Sequence, residues 1–176
     1  ETSFKPWPAC RHAHPAIDAV LALRDGLRPD EVAAIEIRSY GDAVAFCDAP
    51  VPRTTLEAKF SLQHSAAVAL VDGPPPLAAF EAEARARPDL AALRARVTLA
   101  VDPAIDAVYP ARYGAAAILR LTDGRVLEHR VADALGDPEN PMTDAAIRAK
   151  AHTLMTAAGV KDGRADALVA AALALA

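Results

Sequence analysis

The chain has 176 residues, of which 53% are hydrophobic and 24% charged, with a formal net charge of -4. That is the composition of a globular domain with a real core, not of a disordered chain. The acidic balance, with no basic stripe and no aromatic ladder, argues against nucleic-acid binding. No apolar run reaches the length of a membrane span.

The start of the chain departs from this acidic background. Between Thr2 and Ile17 stand Lys5, Arg11, His12 and His14, and no acid. A basic, imidazole-bearing stretch in an acidic chain points to a place where an anion is held and a proton is moved. Pro6 and Pro8 force extended geometry on their neighbours, so residues 4–13 read as an extended loop. Pro15 suits a first helical turn, with His14 at or just before the cap. Ile17, Val20, Leu21 and Leu27 then follow helical spacing, giving a helix over 15–25 that Gly26 stops.

Val32, Ile35 and Ile37 partly alternate, so 32–40 reads as a strand. Residues 41–55, with Pro50 and Pro52, read as a loop. A second helix is expected from 56 or 57 to 71, ended by Asp72-Gly73. Three prolines at 74–76 form a rigid connector, and short helices follow at 77–86 and 89–95. Val97–Val101 reads as a strand. Asp123-Gly124 between two β-rich runs, 115–121 and 126–131, is a strong hairpin signal. After a loop at 136–141, Thr143 caps a helix running to about 158, and a last helix covers about 163–175.

This order predicts an α+β fold. A mostly antiparallel sheet of about four strands, in which the three late strands pair antiparallel with the first, carries helices packed on one face. The sequence has no GxGxxG, no phosphate-binding loop and no GxSxG. Cys10 and Cys47 form no disulfide framework and are read as reduced thiols of a cytoplasmic protein.

Several residues carry possible chemistry. Cys10, His12 and His14 alternate, and on an extended backbone they share one face. A zinc site would need a fourth ligand and tighter pairing, so a solvated loop is the plainer reading. Lys5 can anchor a substrate carboxylate, and His14 can take or give the neighbouring proton. At a helix start, the positive dipole end favours the neutral, base-competent form of His14. Ser61 can cap the second helix or bind an anion there. His64 shares an apolar stripe with Phe60, Val68 and Val71 and reads as a hydrogen-bonded core residue. Lys150 and His152 read as solvated, and His129, on a hairpin strand, as facing water or a neighbouring charge.

These segments resemble a known family. Phe4-Lys-Pro-Trp-Pro-Ala-Cys10 and His14-Pro-Ala-Ile-Asp18 are similar to its aromatic-Pro and His…Ile-Asp segment. Residues 58–73, AKFSLQHSAAVALVDG, resemble its FSL…A…AL.DG helix. Residues 136–144, GDPENPMTD, with Lys150 after them, resemble its G…NPM(T/S)D…K segment. Together they look like the C-terminal half of the MmgE/PrpD family, which includes 2-methylcitrate dehydratase, cis-aconitate decarboxylase and iminodisuccinate epimerase.

The resemblance implies a two-domain enzyme in which a helical domain precedes a smaller α+β lid. The active site lies between them and uses no metal or organic cofactor. This chain resembles the lid alone, the helical domain being absent from it, and by itself is expected to be inactive. The position of Lys5 contributes a cation in family members, and His14 matches the motif histidine. Cys10 stands where the decarboxylase branch has a functional histidine, which argues against decarboxylation.

The resulting expectation is a dehydratase-type lyase acting on a small di- or tricarboxylate such as 2-methylcitrate. Lys5 and His14 are its catalytic residues, and Cys10, Arg11, Lys59 and Ser61 contact substrate. The full-length protein is expected to be a homodimer with no nucleic-acid or membrane partner. The alternatives are an epimerase, isomerase or decarboxylase of the same family, or a non-catalytic α+β module that binds small ligands or partners.

Overall fold

Strand β1 (Val32–Ser39) lies inside the sheet, and its burial pattern follows from that position. Ile35, Ile37 and Ser39 alternate inward, as one face of a strand must. Val32 is also buried although it is out of phase, because the ladder is irregular between Val32 and Ala34. In the computed structural model, which describes residues 2–174 and the side chains of all of them but Leu173, β1 is flanked by β2 (Val97–Val101) and β3 (Ala115–Leu121). Strand β4 (Val126–Val131) completes the order β2-β1-β3-β4.

The fold is α+β, as expected, but the sheet is mixed. β1–β3 and β3–β4 are antiparallel, whereas β1–β2 is parallel with Ile35 opposite Val97. The expectation that all late strands run antiparallel to the first fails here for a physical reason. The connection from β1 to β2 is long and helical, and such a crossover returns the chain to the end where it started. The hairpin is as expected. Gly124 takes φ +90°, Leu121 N donates to Arg125 O at 2.8 Å, and Gly124 N donates to Leu121 O at 3.0 Å. This is a three-residue loop with glycine in the left-handed position.

Helix α1 (His14–Leu23) packs on β1, β3 and β4. Residues 41–55, expected as loop, contain helix α2 (Gly41–Cys47), whose first amide donates to Asp106 Oδ1 at 2.8 Å. The expected continuous helix over 56–71 is two helices, α3 (Thr55–Lys59) and α4 (Leu62–Val71). Ser61 breaks them apart with extended φ/ψ. Its Oγ accepts from His64 N at 2.9 Å and donates to Ala49 O at 2.6 Å. Thr54 caps α3 in the same way through Glu57 N at 3.1 Å. Short helices α5 (Ala82–Arg85), α6 (Pro88–Arg94) and α7 (Pro103–Asp106) follow. The last is an Asp-Pro start in which Asp102 Oδ1 accepts from Ala104 N at 2.9 Å and from Ile105 N at 3.2 Å.

Every residue of α4 from Leu62 to Leu70 is buried. His64 is therefore a core residue, as expected. Arg94 Nη1 lies 3.1 Å from its Nδ1, and Ala79 O lies 2.8 Å from its Nε2. Guanidinium only donates, so Nδ1 accepts and Nε2–H donates to the carbonyl. Both bonds require the neutral ring. Burial, ahead of the nearby Arg94 and Arg85 charges, pulls its pKa below the ordinary value. The opposite face of the sheet is charged. Arg38 Nε bonds Glu36 Oε1 at 2.7 Å, and Arg130 Nη2 bonds Asp102 Oδ2 at 2.6 Å. Ala116 and Ile118 are buried in register between these side chains.

The described residues divide into two compact units. Residues 7–135 form the one just described. Residues 2–6 and 136–174 form the other, with helices α8 (Asp144–Ala157) and α9 (Asp162–Leu173). Thr143 caps α8 by accepting from Ala146 N at 3.2 Å, as expected. The expected end of the last helix, at Leu175, lies outside the described residues. Phe4 N donates to Gly136 O at 2.8 Å. A Cβ on Gly136 would sit 1.8 Å from Phe4 O, so only glycine fits.

The buried neutral His64 makes stability depend on pH. An unfolded chain takes up a proton near 6.5 that the folded ring resists, so this contribution is complete above that pH and is lost as pH falls below it. His64→Gln is expected to cost about 1–3 kcal/mol and to flatten the loss between pH 7 and pH 5. Urea midpoints of both proteins across that range measure it, and an unchanged slope in the variant would contradict the assignment.

Candidate functional site

The segment expected to carry the chemistry is anchored from several directions within the larger unit. Trp7 Nε1 donates to Asp18 Oδ1 at 2.7 Å, and the same carboxylate accepts from Leu135 N at 2.8 Å. Cys10 N donates to Lys59 O at 2.7 Å, and Ala13 N donates to Cys10 O at 2.9 Å. The last bond closes a turn of 3-10 helix over Arg11–Ala13 that runs straight into α1. An extended backbone over 4–13 is therefore corrected at 11–13, and with it the shared face of Cys10, His12 and His14. Turn geometry sends the three side chains in different directions. Among the described residues, no group of three or more His, Cys, Asp or Glu is placed to hold a metal ion.

His14 points inward. Only 2% of it is exposed, and its Nε2 lies 3.3 Å from Ala9 O. A carbonyl only accepts, so that nitrogen carries hydrogen and is not a base in this arrangement. Cys10 is half-buried, and its thiol is hydrogen-bonded to that of buried Cys47. That bond and burial push the Cys47 thiol up, so it stays protonated. Lys59, half-buried at the end of α3, offers its carbonyl to Cys10. Ser61 is fully buried as the cap of α4.

Arg11 is half-buried, with its guanidinium carbon 3.9 Å from the centre of the Tyr113 ring. Lys5 belongs to the smaller unit, where its side chain is exposed and its carbonyl accepts from Lys150 Nζ. Lys150 was expected to be solvated but is half-buried. Burial first, and then the Lys5 charge, lower its pKa.

The structure assembles a group that the sequence reading missed. All three tyrosines of the chain surround His12. His12 Nδ1 is 2.7 Å from Tyr40 OH. Its ring stacks with Phe46 at 5.8 Å and 27° and with Tyr113 at 6.0 Å and 29°. Tyr40 in turn stacks on Tyr109 at 4.1 Å and 9°. Burial, then the neighbouring tyrosines, push the Tyr40 hydroxyl up, so it stays a neutral phenol. The Asp42 carboxylate, hydrogen-bonded to Tyr109, is the main cause that pushes that hydroxyl up to about 12. The available signal was slight: a tyrosine just after a strand and two tyrosines four residues apart in a proline-flanked loop.

Ser61 separates a structural from a ligand-binding reading of the α3–α4 junction. Ser61→Ala is expected to lower stability by about 1–2 kcal/mol, measured by denaturant unfolding. Unchanged stability with weakened carboxylate binding would return Ser61 to the ligand.

The family model described as the MmgE/PrpD C-terminal domain matches residues 7–175. No curated protein matches the chain.

Proposed function

We propose that this chain, which belongs to the MmgE/PrpD family by its C-terminal domain, supplies one part of the active site of a dehydratase-type lyase. Its substrate in this reading is a small di- or tricarboxylate such as 2-methylcitrate. A helical domain supplies the remaining acid-base groups, and the working form is a cytoplasmic homodimer. The observation that carries the reading is the acid-free stretch from Lys5 to His14 in an acidic chain, at the point where the family motif falls. Abstraction of a proton α to a carboxylate builds negative charge, which nearby cations stabilise.

Within this reading Lys5 and Arg11 hold carboxylates. Cys10 and Lys59 line the turn, and Ser61 shapes the junction beneath it. The burial of His14 and its bond to Ala9 O support a role in holding the loop rather than in carrying the proton.

The test uses the protein at its full natural length with 2-methylcitrate, citrate and their hydroxyl-shifted isomers, following the ultraviolet absorbance of the conjugated product. Turnover of none of them would sink the lyase reading. The chain of residues 1–176 alone is expected to show no turnover, because proximity to the missing groups supplies much of the barrier reduction.

Lys5→Ala should mainly raise the Michaelis constant, by about ten- to a hundredfold, as loss of one charge-assisted contact does. His14→Ala should lower the melting temperature and leave turnover per folded molecule nearly intact. A fall in turnover of about a hundredfold or more in folded His14→Ala would assign the proton to His14 after all.

A further inference from the structure

We propose that β4 is a dimerisation strand. Its free edge pairs antiparallel with β4 of a second copy, with His129 facing His129 on the two-fold axis. The homodimer as such belongs to the reading above; the surface is read from the strand itself. β4 ends the order β2-β1-β3-β4, and Val126, Glu128, His129 and Arg130 are all exposed along it. Among the described residues, nothing outside the β3–β4 ladder bonds to the backbone of residues 126–131.

The hairpin fixes which backbone groups face outward. Leu121 N donates to Arg125 O at 2.8 Å, so these two residues form a hydrogen-bonded pair. Such pairs alternate along antiparallel strands. Leu119 is opposite Leu127, Ala117 opposite His129 and Ala115 opposite Val131, so the N–H and C=O groups of those β4 residues point to β3. The groups of Val126, Glu128 and Arg130 point away from the sheet, where they require water or another strand.

A second β4 bonds to these groups only by setting Val126, Glu128 and Arg130 against one another. Two such registers overlap most of the strand. One places Glu128 directly opposite Glu128, which like charge disfavours. The other places Glu128 opposite Arg130 and, by symmetry, Arg130 opposite Glu128. Charges on an edge ordinarily repel a second strand. Here opposite signs on one face, centred on His129, make an antiparallel copy the complementary partner. Arg130 Nη2 is held by Asp102 Oδ2 at 2.6 Å, but its side chain is 45% exposed and the guanidinium has further donors for a carboxylate. On the other face the same register sets Leu127 opposite Val131. Both are half-buried against the core, so pairing carries the apolar face across the axis. β2, the opposite edge, has no charged residue between Val97 and Val101. Pairing through one edge about a two-fold axis closes at two copies.

The test reads the register directly. His129→Cys is made in the 176-residue chain and oxidised mildly with copper phenanthroline, and covalent dimer is measured on a non-reducing gel. Directly opposed residues in a non-hydrogen-bonded pair have Cα atoms about 4.5 Å apart, within reach of a disulfide. Residues offset by two positions lie beyond the limit of about 7 Å. His129→Cys is therefore expected to cross-link. Glu128→Cys and the wild-type chain, both with Cys10 and Cys47 unchanged, are expected to stay uncross-linked. Cross-linking of Glu128→Cys in place of His129→Cys, or of neither, would overturn the proposal.

Sedimentation provides a second arm. Glu128→Arg and Arg130→Glu each set like charges opposite one another and are expected to raise the dimer Kd by about tenfold. Mixed in equal amounts, the two variants are expected to recover the wild-type Kd as a heterodimer in which opposite charges face again. Arg130→Glu also loses its bond to Asp102, a loss that mixing cannot repair, so recovery reports pairing and not folding. A dimer that neither substitution weakens would sink the β4 interface and leave the homodimer standing on another surface. A monomeric 176-residue chain beside a dimeric full-length protein would do the same. If the interface holds while the full-length protein turns over no polycarboxylate, the lyase reading falls alone.

Discussion

Helix α4 has no side that faces water between Leu62 and Leu70, and much of the larger unit answers that constraint. A helix apolar all round must be enclosed, and α1, α6 and β2 enclose it. Enclosure also buries its first turn, where backbone amides have no intrahelical partner. Ser61 satisfies one of them and at the same time ties the junction to Ala49. The single imidazole in the helix is satisfied at both nitrogens by Arg94 and Ala79. Each fully buried Leu or Val contributes roughly 1.5–3 kcal/mol, and an unpaired His64 or an uncapped start would offset much of that.

The same constraint reaches the candidate site. Because Ser61 must be extended to cap α4, the chain cannot run as one helix from Thr55. The resulting break leaves the Lys59 carbonyl available, and Cys10 N takes it at 2.7 Å. The turn that carries Arg11 and His12 is therefore held by the cap of a core helix. Asp18 holds the preceding Trp7 and the end of the unit at Leu135 with one carboxylate.

Histidine roles in this chain follow from which way a short helical turn throws each side chain. One residue separates His12 from His14, yet one ring meets a phenol near the surface and the other a backbone carbonyl in the interior. An alternating backbone would have presented both together. The smaller unit carries a parallel lesson in Lys150, whose ammonium is held at the Lys5 backbone rather than in solvent. Helical periodicity on α8 marks its position but not what the first residues of the chain place beside it.

What the sequence by itself determined was local. Asp123-Gly124 specified the hairpin, Thr143 the start of α8, and the apolar stripe through Phe60, His64, Val68 and Val71 a hydrogen-bonded core position for His64. These are set by glycine at positive φ, by capping hydroxyls and by burial, all legible within a few residues. The acid-free stretch and its motif marked where a site is proposed. Only the tertiary structure decided that β2 runs parallel to β1, because strand direction depends on where a long helical crossover returns. It alone separated residues 11–13 from the extended backbone before them, since the turn is closed by the Ala13–Cys10 bond and held by Lys59. It alone brought Tyr40, Tyr109 and Tyr113 around His12. Those contacts join residues far apart in sequence, and such long-range packing leaves no periodic trace in the chain that makes it.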